Sequence, residues 1–192
     1  MSFRFNTVVW HRRTFFLLTL FAIVAMSGCA GRQQDSQEGW EPLFNGTDLI
    51  GWTIKCKPAD RDCEFWKVDD GTILADSLGH EGHDYVWLVT DQEYADFVLR
   101  LRFQAYRDSP GNSGIQIRSR YDDEAGWLDG PQIDIHPPEP WRTGMMWDET
   151  RGVGRWLYPD VPQGQWVNQA MANPDLVFYY ADEGSGWNTL EI

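Results

Sequence analysis

The run Phe97-Val98-Leu99-Arg100-Leu101-Arg102-Phe103-Gln104 sets the first constraint on the fold. A strand turns successive side chains to opposite faces, so Phe97, Leu99, Leu101 and Phe103 point one way and Arg100, Arg102 and Gln104 the other. The same two-residue code returns in Ile115-Gln116-Ile117-Arg118 after the turn Asn112-Ser113-Gly114. It returns again in Gln132-Ile133-Asp134-Ile135-His136, where Asp129-Gly130-Pro131 leads in and Pro137-Pro138 ends the pairing by removing two donors. Asp69-Asp70-Gly71 between Trp66-Lys67-Val68 and Thr72-Ile73-Leu74 is a hairpin signal. Beyond the N-terminal segment no stretch keeps a helical period. Many short strands at this spacing predict an all-β, antiparallel sandwich or jelly roll.

The N-terminus reads differently. Arg4, His11, Arg12 and Arg13 precede an apolar run from Phe15 to Ala25, broken only by Thr19. Eleven residues are too short for a bilayer, which needs about 20. A basic lead, a short apolar run and small residues at its end describe a secretory signal. The end of the run, Met26-Ser27-Gly28-Cys29, resembles a bacterial lipobox, so residues 1–28 are expected to be a lipoprotein signal peptide and Cys29 the lipidated anchor in the cell envelope. Polar residues follow up to Gly39, so residues 29–40 form the lipidated Cys and flexible tether, and residues 41–192 the β-domain. In an oxidising compartment the two remaining cysteines, Cys56 and Cys63, are expected to pair and to close a small surface loop.

Charge excludes one class of partner. The chain holds 16 Lys and Arg against 29 Asp and Glu, a formal charge of −13. Nucleic acid binding needs a basic face to displace counterions, and none is visible. Trp is abundant, with 11 in 192 residues. Most such rings fill a core, but their faces also suit sugar rings.

Strand alternation places Gln116 and Arg118 on one face of one strand, and Gln132, Asp134 and His136 on one face of another. If the strands are neighbours, an acid, an imidazole, a guanidinium and two amides converge on one patch. Asp134 and His136 would stand about 7 Å apart along the strand. That is close enough to share a substrate or to begin a divalent metal site, although the alternative of ordinary solvated strand positions stays open.

Phe44-Asn45-Gly46-Thr47-Asp48-Leu49-Ile50-Gly51-Trp52, then Trp66-x-Val68-x-Asp70-Gly71-Thr72-Ile73, Tyr94-x-Asp96-Phe97-x-Leu99, Asn112-Ser113-Gly114-Ile115 with Arg118, and Gly186-Trp187-Asn188-Thr189-Leu190-Glu191-Ile192 follow one another in order. This ordered set resembles the 3-keto-disaccharide hydrolase domain from about Glu41 to the last residue. The resemblance implies a concanavalin A-like sandwich and an exported bacterial protein acting on sugars oxidised at C3. A saccharide substrate and an upstream enzyme that oxidises sugars at C3 are implied with it. Gln132 stands where that family often has Glu, and Asp134 where it often has Gln. The family also continues past its Trp-Asn strand, so the sandwich is expected to be incomplete at the C-terminus.

Double displacement by a retaining glycosidase needs two carboxyls about 5–5.5 Å apart, and this strand supplies one. A 3-keto sugar offers another route: its carbonyl acidifies the C2 proton, a base removes it, the C1 substituent leaves, and water adds back. Asp134 or His136 could be the base, and Arg118 or a metal could hold the enolate. Asp148, Glu149 and Arg151 could complete the site from a loop, and Trp141 and Trp147 could stack on sugar. Two other functions fit the same residues: a carbohydrate-binding lipoprotein module without turnover, and a structural envelope lipoprotein.

Overall fold

The computed structural model describes residues 2–12, 39–108, 111–165 and 175–192. Cys29 and the apolar run Phe15–Ala25 lie outside the described residues. Within them the chain is all-β, with every named strand pair antiparallel, consistent with a β-sandwich. The expectation from alternation is met.

Strand β7 (Phe97–Ala105) buries Leu99, Leu101, Phe103 and Ala105 and turns Arg100, Arg102 and Gln104 outward. The outward face is held by cross-strand contacts to β14 (Asn188–Glu191). Arg100 pairs with Glu191 directly opposite, and Arg102 lies over the Trp187 ring. Strands β4 (Trp66–Asp69) and β5 (Thr72–Asp76) form the predicted hairpin. Its turn residues, Asp70 and Gly71, both adopt positive φ, at 48° and 69°, as a two-residue turn between twisted strands requires.

Ser2–Arg12 forms strand β1, between β5 and β7 in a large sheet ordered β14-β7-β1-β5-β4. The short strand β2 (Trp40–Pro42) pairs onto β1. Ser-Phe-Arg-Phe-Asn alternates apolar and polar residues, a strand code that the neighbouring basic and apolar blocks obscure in the sequence. Phe3 is 1% exposed, with Phe5 also in the core. Arg4 faces out, pairs with Asp69, and donates to the Tyr106 hydroxyl at 2.8 Å and Thr72 Oγ1 at 3.0 Å.

A second sheet has the order β13-β12-β11-β8, built from β8 (Ser113–Gln116), β11 (Pro131–Ile135), β12 (Met146–Asp148) and β13 (Arg155–Tyr158). Two further pairs, β3 (Trp52–Lys55) with β6 (Trp87–Thr90), and β9 (Arg120–Asp122) with β10 (Trp127–Asp129), contribute residues to the cleft described below. The core joins Phe3, Phe5, Ile73, Leu101 and Phe103 of the large sheet to Ile135, Trp141, Met145, Trp156 and Phe178. Burying each of these large side chains contributes about 1.5–3 kcal/mol.

The expected Cys56–Cys63 disulfide is not formed in this structure. Both are free, partly buried thiols. Partial burial pushes the Cys56 thiol up, helped by the charges of Asp60 and Cys63.

Candidate active site

Strands β8 and β11 are neighbours, as the convergence of their polar faces requires. Gln116 stands opposite Gln132, and Gly114 opposite Asp134. The antiparallel register, however, carries Arg118 towards Gly130 and His136 towards Asn112. The two residues therefore lie at opposite ends of the pair, about 20 Å apart along the strands. Arg118 follows the end of β8 with φ 51° and is exposed.

A cleft of about 1680 Å³ is lined by Gln116, Arg118, Gln132, Trp147, Asp148, Glu149 and Arg151 among the residues singled out from sequence. Asp134, His136 and Trp141 are not on its lining. Trp141 is 7% exposed and sits in the core, its indole N–H donating to the Thr143 carbonyl at 3.1 Å. It offers no face to a sugar, which corrects the stacking role. Trp147 keeps its place on the cleft, edge-on to Trp156 at 4.8 Å between centroids. His136 follows the end of β11. Its Nδ1–H donates to the Pro137 carbonyl at 2.5 Å, and its backbone is tied to the Thr143 hydroxyl.

Asp134 is the structural centre of the site although no part of it reaches water, with 0% exposure. Arg142 donates to Oδ2 through Nε at 2.8 Å and Nη2 at 2.5 Å, while Gln132 Nε2 donates to Oδ1 at 2.8 Å. A buried carboxylate is tolerable only with such partners. Arg142 reaches it because the loop after β11 doubles back, with Gly144 N bonded to the Asp134 carbonyl and Asp134 N to the Met145 carbonyl. Gln132 is kept on course by Gly114, where a Cβ would fall 2.5 Å from its Cγ and Cδ.

Glu149 lies on the cleft beyond this pair. Burial pushes its carboxyl above the usual range, and the negative charge of Asp134 adds to the shift while Arg142 opposes it. Tyr85, 49% exposed and also on the cleft, is shifted up by burial first and then by Glu149 and Asp134, again against Arg142. Glu149 and Tyr85 thus both feel the charges of Asp134 and Arg142 from within one cleft. A carboxyl and a phenol both displaced by burial and by the same charges in a cleft mark a candidate chemical site. Sequence reasoning missed Tyr85 and Arg142. Both lie in loops, where no strand period marks direction.

The rest of the loop from β12 is a rim. Asp148 caps Thr150 N at 3.1 Å, and Arg151 pairs with Asp122 at 2.8 Å and Asp129 at 2.6 Å. Arg151 holds the Asp129 carboxyl below its usual range. Gln116 is spent on scaffolding: Oε1 accepts from the Trp87 indole at 2.6 Å and Nε2 donates to the Leu128 carbonyl at 2.9 Å. Among the described residues there is no group of three His, Cys, Asp or Glu placed to hold a metal ion, so Asp134 and His136 do not begin such a site there.

No curated protein and no solved structure matches the chain. The sequence model of the 3-keto-alpha-glucoside-1,2-lyase-like domain matches residues 39–192, in agreement with the ordered motifs from Phe44 to Ile192. A domain that covers this much of the chain is decisive: the protein belongs to the 3-keto-alpha-glucoside-1,2-lyase-like family, a glycan-related family of hydrolases and lyases.

Proposed function

We propose that the protein cleaves 3-keto-glycosides by elimination across C1 and C2, with Glu149 as the base. The Glu149 carboxylate takes the C2 proton. The C–H electron pair forms C2=C3, and the carbonyl oxygen becomes an enolate. The enolate then re-forms the C3 carbonyl, a C1=C2 double bond appears, and the C1 oxygen leaves with the proton returned from Glu149. Water adding across the enone completes a net hydrolysis.

The observation that carries this reading is the placement of Glu149 beside Arg142 and Tyr85 in one cleft. A base for a carbon acid works best with a pKa lifted towards neutrality, the direction in which burial moves Glu149. Arg142 and the Tyr85 hydroxyl supply a cation and a donor for the enolate oxygen. Asp134 acts as a positioning residue, since its carboxylate is committed to Arg142 and Gln132. Its burial favours that role over the direct proton transfer expected from sequence.

The test is turnover of methyl 3-keto-glucoside. Glu149→Gln should abolish release of methanol while leaving the fold intact, and full activity in that variant overturns the assignment. A carbohydrate-binding module without turnover is the rival. It would bind the glycoside in both forms and release nothing.

The substrate carries a carbonyl at C3, so an oxidoreductase acting on sugar C3 must supply it. Export and anchoring through Cys29 remain part of the proposal, on the strength of the basic lead, the apolar run and the lipobox-like end. Mass spectrometry of membrane fractions showing an unmodified Cys29 would sink the anchor.

A further inference from the structure

Four aromatic rings form a continuous wall along the cleft beside Glu149. Trp127 begins it, its indole N–H donating to the Glu149 carbonyl at 2.9 Å. Tyr85 stands edge-on to Trp127 at 4.8 Å, Trp87 follows at 5.5 Å from Trp127, and Tyr121 lies 5.7 Å beyond Trp87. Each indole or phenol that could seek water in the far part of the wall is already tied down. Trp87 is held by Gln116 at 2.6 Å and Tyr121 by the Cys56 carbonyl at 3.1 Å. Rings anchored by their polar edges present π faces at little entropic cost, which is what a pre-organised stacking platform needs. Beside the wall lie charged groups suited to hydroxyls, among them Arg118 and the Arg151–Asp122–Asp129 cluster.

We infer that this wall is the subsite for the leaving group, and that the leaving group is itself a chain of sugar rings, so that the substrate is an oligosaccharide of three or more rings. The inference rests on the elimination reading above. A base at C2 stands next to the C1 substituent, whereas C4 to C6 lie across the ring, so the wall adjoining Glu149 faces what departs. Tyr85 and Trp87, nearly parallel at 15° with centroids 5.7 Å apart, make two successive platforms, while Trp127 and Tyr121 stand edge-on to Trp87 and brace it. The cleft volume of about 1680 Å³ also exceeds the roughly 300–1,000 Å³ of pockets that enclose a compact small ligand. A flat aryl group would fill the first platform and leave the polar rim unused.

The experiment compares 3-keto-glucosides whose C1 substituent is methyl, one glucose, two glucoses or p-nitrophenyl. KM should fall by on the order of tenfold from methyl to one glucose and again to two, the worth of one ring stack at each step. Trp87→Leu should abolish the second gain, read as the ratio of KM between the one-glucose and two-glucose substrates. Trp87→Phe, which lacks the N–H but keeps a ring, should retain most of it. Equal KM values across the saccharide series overturn the inference, as does a p-nitrophenyl glycoside that matches the longer saccharide. If the wild-type protein turns over none of them, the elimination reading falls, and the wall is judged by tryptophan fluorescence with maltotriose. Saturable quenching lost in Trp87→Leu then supports the subsite, and no quenching overturns it.

Discussion

Arg142 closes on a single oxygen of Asp134 with two nitrogens, at 2.8 and 2.5 Å, from eight residues further along the chain. The pair joins the loop after β11 to the floor of the cleft. It places a cation where Glu149 and Tyr85 both respond to it. A contact made between a strand and its own returning loop is local in sequence but depends on the loop's path.

Breaking that pair from one side leaves a charge stranded in the interior. Arg142→Met is expected to cost about 3–5 kcal/mol, because the Asp134 carboxylate stays buried without its cation. Replacing both, as Asp134→Leu with Arg142→Met, should recover a large part of the loss. Urea unfolding of the two variants checks the order, and equal stability of both contradicts the burial argument.

Glu149 should trade stability for activity. Its folded pKa is raised, so the folded protein holds this proton more firmly than the unfolded chain does. The stability it contributes is complete below the unfolded pKa and is lost as pH rises through the folded one. Glu149→Gln should therefore be more stable than the parent at neutral pH, with the difference vanishing below about pH 4. Turnover in the parent should rise with pH through the displaced Glu149 pKa, since the base acts only when ionised. Paired urea titrations at acid and neutral pH, with a pH–rate profile, test both signs.

Gln132 leaves no room for a side chain at Gly114. A Cβ there would meet Gln132 Cγ and Cδ at 2.5 Å, well inside van der Waals contact. Gly114→Ala should cost about 1–3 kcal/mol and push Gln132 away from Asp134. A shift in the urea midpoint together with reduced turnover is the expected result. Unchanged values would mean that Gln132 has another place to go.

Phe3 distinguishes a folded N-terminus from a discarded one. In the uncut chain its β1 ring is 1% exposed, and there Phe3→Ala should destabilise the fold by about 3–5 kcal/mol. A protein cut before Cys29 would be indifferent to that substitution. Thermal melts of the two forms, each with its N-terminal mass measured, separate the outcomes.

Alternation alone determined the strands. Phe97 to Ala105, the Asp70-Gly71 hairpin and the β8 and β11 segments are legible because side-chain direction in a strand depends only on position along it. The ordered motifs determined the family for the same reason, being linear. Register and loop path are not linear properties. Antiparallel pairing of β8 with β11 set Arg118 and His136 at opposite ends of the pair, and the returning loop brought Arg142 onto Asp134. The tertiary structure also decided that Trp141 fills the core while Trp87, Trp127 and Tyr121 face the cleft, since an indole reads the same in sequence whichever side it packs. Likewise Ser2–Arg12 shows its strand only when β5 and β7 stand on either side of it, because a short alternating segment forms no structure until neighbours complete its hydrogen bonds.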